Sequence, residues 1–300
     1  MIDLLLITND PALARRGDAL PGVRLFVDLE RNGKAERQAG RNTFISSHQI
    51  SDIGRIKAQL KNARLMVRVN PFEAGQADAA RIEIDAVIAQ GADRLMLPMF
   101  TEAAQLQAFV GLVAGRLPVV PLLETAGALG SLGDWIDIPG IEEVFVGLND
   151  LHLSLNCRFM FEPLALGHVE RVAKAAAQSG LRFGFGGIAR VNEGLLPGSD
   201  VLAEHLRLGS RAVILSRTFH RTDDGDEDGE GPGESFEQAV AALRAAEQQL
   251  AQRSQGAVEA DRQRVASVIT QLASQTPERV ASQTPMQTAK QTDMPHLSPP

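Results

Sequence analysis

Three observations predict a (β/α)8 barrel. Eight short apolar runs lie along residues 1–220 of the 300-residue chain, segments with helical apolar spacing separate most of them, and charged or glycine residues gather where the runs end. In such a barrel the reacting groups stand at the C-terminal ends of the strands, on loops that share one face. The length suits two average domains or one barrel of this kind.

The elements follow in order. Leu4–Thr8 is the first strand, and Asn9-Asp10-Pro11 opens a helix with a capping side chain followed by proline. Val23–Leu29 is the second strand; Ile53, Ile56 and Leu60 give Ser51–Leu60 a helical face. Arg64–Val69 and the helix Arg81–Gln90 form the third pair, Asp93–Met99 and Thr101–Gly115 the fourth. Pro118–Glu124, Glu142–Leu148, Arg182–Gly187 and Arg211–Ser216 complete the eight strands. Pro163–Gly180 is the helix before strand seven and Ser199–Gly209 the one after it. The eighth helix is expected over Glu234–Gln252, where Phe236, Val240, Leu243 and Leu250 share a face.

The barrel domain is thus read as residues 1–253, with 221–233 as an acidic, glycine-rich linker that has no means of building a core. Residues 254–300 are rich in Gln, Ser, Thr and Ala and read as a mostly disordered tail, with weak helical periodicity over Asp261–Leu272.

Composition excludes several partners. Of the formal charge of −7, residues 221–300 contribute −6, so the barrel is almost neutral and has no basic stripe to follow nucleic acid. One cysteine, Cys157, excludes an internal disulfide and fits a reducing, cytoplasmic setting. The apolar start is too short for a signal segment, and no run reaches the length of a membrane span.

The strand ends carry the chemistry. Strand two ends in Asp28, Glu30 and Arg31, strand three in Arg68 and Asn70, strand five in Glu124 and strand six in Asp150. Glu124 and Asp150, on consecutive strands, can converge; two such carboxylates without a cation repel and raise each other's pKa. A hard divalent ion, Mg2+ or Mn2+, resolves this with oxygen ligands, and no His/Cys cluster lies near to suggest zinc. Such an ion leaves room for a bidentate 2-oxo acid, and Arg68 has the planar fork that suits a substrate carboxylate or a developing enolate oxygen. On spacing alone a salt-bridge network among Arg68, Glu124 and Asp150 remains an equal reading.

The stretches "VDLE", "VRVNP", "LMLPM", "LLETAGAL" and "FVGLNDLHLSL", in this order from Val23 to Leu155, resemble the HpcH/HpaI aldolase and citrate lyase β-subunit family of phosphoenolpyruvate/pyruvate-type barrels. The resemblance implies carbon–carbon bond cleavage or formation through a metal-stabilised enolate. It puts Glu124 and Asp150 in the metal-ligand positions and Arg68 in the substrate position. It also implies a small carboxylate substrate, a 2-oxo acid or acyl-CoA-like molecule, and a homo-oligomer. Aldolases of this family carry a "DGEH"-like motif whose histidine does acid/base work; Arg31 stands in that place here, and citrate-lyase-like members read "DLED". A thioester hydrolase, a phosphoenolpyruvate-type mutase and a non-catalytic scaffold therefore stay open as alternatives.

His48, after the long second loop, is the candidate replacement base, against a reading as a surface loop residue. Asp28 and Glu30 either position water and orient Arg68 or pair structurally with Arg31 or Lys34. Gly184, Gly186 and Gly187 at strand seven suit backbone capture of an anion, aided by Arg190 and Arg217, or else close packing at the rim. His168 and His205 fall on helical patterns and read as outer-layer residues, His152 as a neighbour of Asp150, and Cys157 as a small apolar filler.

Overall fold

The computed structural model of the chain describes residues 1–31, 47–220 and 234–276; the predicted acidic linker and the last 24 residues of the tail lie outside the described residues. Eight strands pair in parallel in sequence order and close on themselves, β8 against β1. They are β1 (Asp3–Ile7), β2 (Val23–Asp28), β3 (Leu65–Arg68), β4 (Arg94–Leu97), β5 (Val119–Leu123), β6 (Glu143–Val146), β7 (Arg182–Ile188) and β8 (Ala212–Leu215). The helices are α1 (Pro11–Asp18), α2 (Ile50–Lys57), α3 (Ala77–Ala89), α4 (Ala103–Val113), α5 (Ala126–Gly130), α6 (Leu132–Trp135), α7 (Leu148–Ser154), α8 (Glu162–Ala165), α9 (His168–Gln178), α10 (Gly198–Arg207), α11 (Phe236–Leu250) and α12 (Gln255–Gln275). None of the described helices is long and apolar enough to cross a membrane.

Strand residues alternate between two cores. Leu5, Phe26, Met66, Met96, Val120, Leu122, Phe145 and Ala212 fill the barrel interior. Their neighbours in sequence, such as Leu4, Leu25, Val67, Leu95 and Val144, face outward onto the helices. Space inside is tight: a Cβ on Gly184 would stand 2.8 Å from the Phe145 ring. Below the apolar layer, Arg24 on β2 crosses to Glu143 on β6 with two hydrogen bonds of 2.7 and 2.8 Å and meets Asp3 at 3.1 Å. This ion group floors the barrel.

Three expectations are corrected. Strand six ends at Val146 instead of Leu148, and Leu148–Ser154 is a helix, so Asp150 lies in the first turn of α7 and not on a strand end. The predicted helix Pro163–Gly180 is two, α8 and α9, separated at Gly167, whose φ of 80° lies where glycine meets no side-chain penalty. The reading of residues 254–300 as tail fails for its first half. Ser254 caps α12, and Val265, Ile269 and Ala273 repeat every four residues and bury one face. Arg264 grips Asp200 of α10 through two hydrogen bonds of 2.8 and 2.9 Å. α12 lies over α10 and α8. The expected eighth helix forms as α11, with Ser235 as its cap and Phe236, Val240 and Leu243 buried.

Candidate functional site

The mouth of the barrel is built by the ends of β2, β3 and β5 and by the turn into α7. Asp28 and Arg68 are partners in the β2–β3 register, so their inward side chains meet. Asp28 takes Nε and Nη2 of Arg68 at 2.8 Å each, and the third nitrogen, Nη1, lies 3.4 Å from Glu30 Oε2. Arg68 also lies over the Phe26 ring of the interior layer, its guanidinium carbon 5.8 Å from the centroid. Burial opposes its charge, but Asp28, Glu30 and Glu124 outweigh this and raise its pKa above the usual arginine value.

Glu124 is buried at the end of β5, where Oε1 accepts the Met99 N–H at 3.0 Å. Met99 is in the left-handed region, φ 58°, a cost that a non-glycine residue bears only where its surroundings require it. On the other side Glu124 lies against Gly147; a Cβ there would be 2.7 Å from Glu124 Oε2. Burial, then the Glu30 charge and that of Asp150, push the Glu124 carboxyl well above the usual range, against the pull of Arg68 and the Met99 N–H. Glu30, Glu124, Asp150, Asp28 and Arg68 thus share one electrostatic neighbourhood. It is acidic on balance.

Loop contacts hold the pieces in place. Thr125 caps α5 and donates to Phe100 O at 2.7 Å, which joins the loops after β4 and β5. Ala126 N–H donates to Ser154 Oγ at 2.8 Å, which joins α5 to α7.

The other candidates separate. His48 is buried beside this group: its Nδ1 accepts the Asp28 N–H at 3.1 Å, so the surface reading does not hold. A ring nitrogen that accepts has no proton, so a neutral imidazole carries its hydrogen on Nε2. Arg31 donates from Nη2 to the carbonyl oxygens of His48 and Ser47, at 2.8 and 3.4 Å. His152 is buried in α7 with Nδ1 3.1 Å from Leu148 O. Gly186 has a φ of 55° and packs on Leu148, whose Cδ1 would be 2.8 Å from a Cβ, while Gly187 borders Ile214 O; packing accounts for Gly186 without an anion. Arg217 is exposed, and Arg190 is buried with Nε on Thr218 O at 2.8 Å. His205 lies in the helix layer as expected but is fully buried against Phe185. Cys157 is buried too, with its thiol pKa pushed up by burial and Glu162, as befits a filler.

Sequence reading missed Met99, whose role is a backbone N–H in an unusual conformation, and the contacts made by Arg31, which depend on a distant loop returning. A groove of about 890 Å3 between α6 and α9, lined by Leu132, Ile136, Arg171 and Lys174 among others, holds none of the mouth's carboxylates.

Solved structures share this arrangement of strands and helices. A HpcH/HpaI aldolase/citrate lyase family protein from Burkholderia cenocepacia aligns at a TM-score of 0.56 with 17% identity, over 83% of this chain and 93% of that one. The barrel has the fold of the HpcH/HpaI aldolase and citrate lyase structures. CitE of Mycobacterium tuberculosis, solved with magnesium and acetate, aligns at 0.54 with 16% identity, over 90% and 97% of the two chains. A HpcH/HpaI aldolase from Desulfitobacterium hafniense aligns at 0.54 with 14% identity, over 72% and 86%. No protein-family model and no curated protein sequence matches the chain.

The donor set at the mouth fits a hard divalent ion. It is all oxygen, and the Glu124 carboxyl, strained upward by Glu30 and Asp150, is relieved by a positive charge. Among the described residues no group of three or more His, Cys, Asp or Glu is arranged to hold a metal.

Proposed function

We propose that the chain is a divalent-metal-dependent carbon–carbon lyase acting on a 2-oxo acid or a related carboxylate. The observation that carries this reading is the Glu124 carboxyl, buried, pushed upward by neighbouring acids, and backed by an arginine whose orientation Asp28 fixes. Mg2+ or Mn2+ held by Glu124 and Asp150 would supply Lewis-acid polarisation of the substrate carbonyl.

The chain's own residues do the rest. Arg68 offers Nη1 to the substrate carboxylate or to the oxygen that gains charge as the bond at the adjacent carbon breaks. Asp28 fixes the guanidinium plane, so this donor needs no reorganisation during reaction. Glu30, 3.4 Å from Nη1, would orient a water. Magnesium and acetate, held together by the Mycobacterium CitE, agree in kind with this assignment.

One observation favours a second ending for the same chemistry. Arg31 spends its guanidinium on backbone carbonyls in the place where aldolases of the family carry an acid/base histidine. Thioester hydrolysis, or a phosphoenolpyruvate-type rearrangement, is the reading to test beside C–C cleavage.

The test combines Mn2+ binding with deuterium exchange into the methyl group of pyruvate. Wild type is expected to bind Mn2+ and to exchange; Glu124→Gln and Asp150→Ala are expected to lose both while keeping the wild-type circular dichroism. Full turnover by Asp150→Ala in saturating metal refutes the assignment. Thioester release without deuterium exchange moves the function to hydrolysis.

A further inference from the structure

The end of β2 is held by a residue that the proposed chemistry does not use. Arg31 follows Glu30 directly, yet its side chain turns from the mouth to the returning chain, onto the carbonyl oxygens of Ser47 and His48. Its backbone N–H donates to Asn70 Oδ1 at 2.9 Å, and Asn70 Nδ2 donates to Glu83 Oε1 on α3 at 2.7 Å. Arg31 is therefore tied to the loop after β3 through its main chain and to residues 47–48 through its side chain.

What this holds in place is His48. The imidazole is 4% exposed and accepts the Asp28 N–H through Nδ1. Asp28 in turn grips Nε and Nη2 of Arg68 and accepts the Glu30 N–H at 3.1 Å through Oδ1. Contacts thus run in series from Arg31 to His48, to Asp28, to Arg68. A bidentate guanidinium–carboxylate pair transmits orientation well, because both groups are planar and two bonds fix their relative angle.

We propose that Arg31 is a positioning residue for the substrate-binding arginine. By holding residues 47–48 against the end of β2 it keeps His48 on the Asp28 main chain, and through Asp28 it sets the direction of Arg68 Nη1. The part His48 plays is that of an acceptor at Nδ1. The inference rests on the function proposed above for its catalytic consequence, but the clamp itself is a matter of geometry and can be read without turnover.

The test is amide hydrogen exchange at Asp28 in the full chain, alongside deuterium exchange into pyruvate with Mn2+. Arg31→Ala is expected to speed exchange of the Asp28 amide about tenfold or more, and Arg31→Lys to fall between, since a rotating ammonium on a shorter stem holds the two carbonyls less firmly than the planar Nη2 does. His48→Leu is expected to match Arg31→Ala. His48→Asn is expected to restore what His48→Leu loses, because an amide oxygen can take the place of Nδ1. In the activity arm, Arg31→Ala raises KM about tenfold with a smaller change in kcat, leaves Mn2+ affinity at the wild-type value, and adds nothing to His48→Leu in the double variant.

Unchanged Asp28 protection in Arg31→Ala overturns the proposal. So does a His48→Asn protein that keeps Asp28 protected but no longer exchanges deuterium, for then the imidazole itself moves the proton. If wild type exchanges no deuterium at all, the lyase reading falls and the Asp28 amide alone decides the clamp.

Discussion

Acid should destabilise this barrel through one side chain far from the mouth. The His205 ring is fully buried on α10, stacked on Phe185 with centroids 3.8 Å apart and planes 6° from parallel. Nδ1 lies 2.8 Å from Ser210 Oγ, and Nε2 is buried with no hydrogen-bond partner among the described residues. Burial pushes the imidazole down to about 3 from its ordinary 6.5. The unfolded chain therefore binds a proton below pH 6.5 that the folded chain refuses until about pH 3. Stability tied to His205 is complete above pH 6.5 and is lost as the pH falls through that window. Each unit is worth about 1.4 kcal/mol, so at pH 5 the loss is about 2 kcal/mol. His205→Phe keeps the stack and removes the titration, while the Ser210 hydroxyl retains Ala212 O at 3.2 Å. Urea unfolding of both proteins at pH 7.5 and pH 5.0 measures the difference. Wild type should lose about 2 kcal/mol more than the variant between the two conditions. Equal losses would show that the ring is hydrated or charged in the folded state, and the argument would fail.

Three further outcomes are expected. Gly147→Ala puts a methyl 2.7 Å from Glu124 Oε2, in a backbone conformation that alanine accepts. The carboxylate must move, and Mn2+ affinity by calorimetry should fall about tenfold with a stability loss of about 1–3 kcal/mol. Ile269→Ala, at a fully buried position on α12, should cost about 2–4 kcal/mol in denaturant titration, whereas a loose tail would lose nothing. Arg24→Met strands Glu143 as a buried charge and should cost about 3–5 kcal/mol, most of it recovered by adding Glu143→Leu; additive losses in the double variant would count against the pairing.

Asp28, Arg68 and Glu124 were legible in the sequence because a strand of period two fixes which residues face inward, and a barrel fixes which end matters. Asp150 was legible as a residue but not as a position. Apolar runs on both sides of Gly147 read as one strand with a break, and the choice between strand and helix after a glycine is made by packing against β7 and the α5 loop. His48 and Arg31 were named as residues, but their contacts with Asp28 and with each other were not legible, because they close across a segment of many residues where nothing periodic remains to be read. α12 showed only as weak periodicity over Asp261–Leu272, for another reason. Its buried stripe is thin, Val265, Ile269 and Ala273, and gains its stability from a surface that α8 and α10 provide. Local pattern tells which way a side chain faces within an element; it is silent about elements that form only because others are already there.

The ion group under the barrel has a mechanical meaning. β2 and β6 are four strands apart on a ring of eight, so Arg24 and Glu143 join opposite walls across the full diameter. Four residues further along, at the end of β2 and one residue past the end of β6, stand Asp28 and Gly147, the wall positions against which Arg68 and Glu124 are set. The tie resists flattening of the ring along that diameter. The gap between the guanidinium side and the carboxylate side of the mouth is therefore gauged by a strut about 13 Å below it. A change at the floor alters the spacing of groups it never touches.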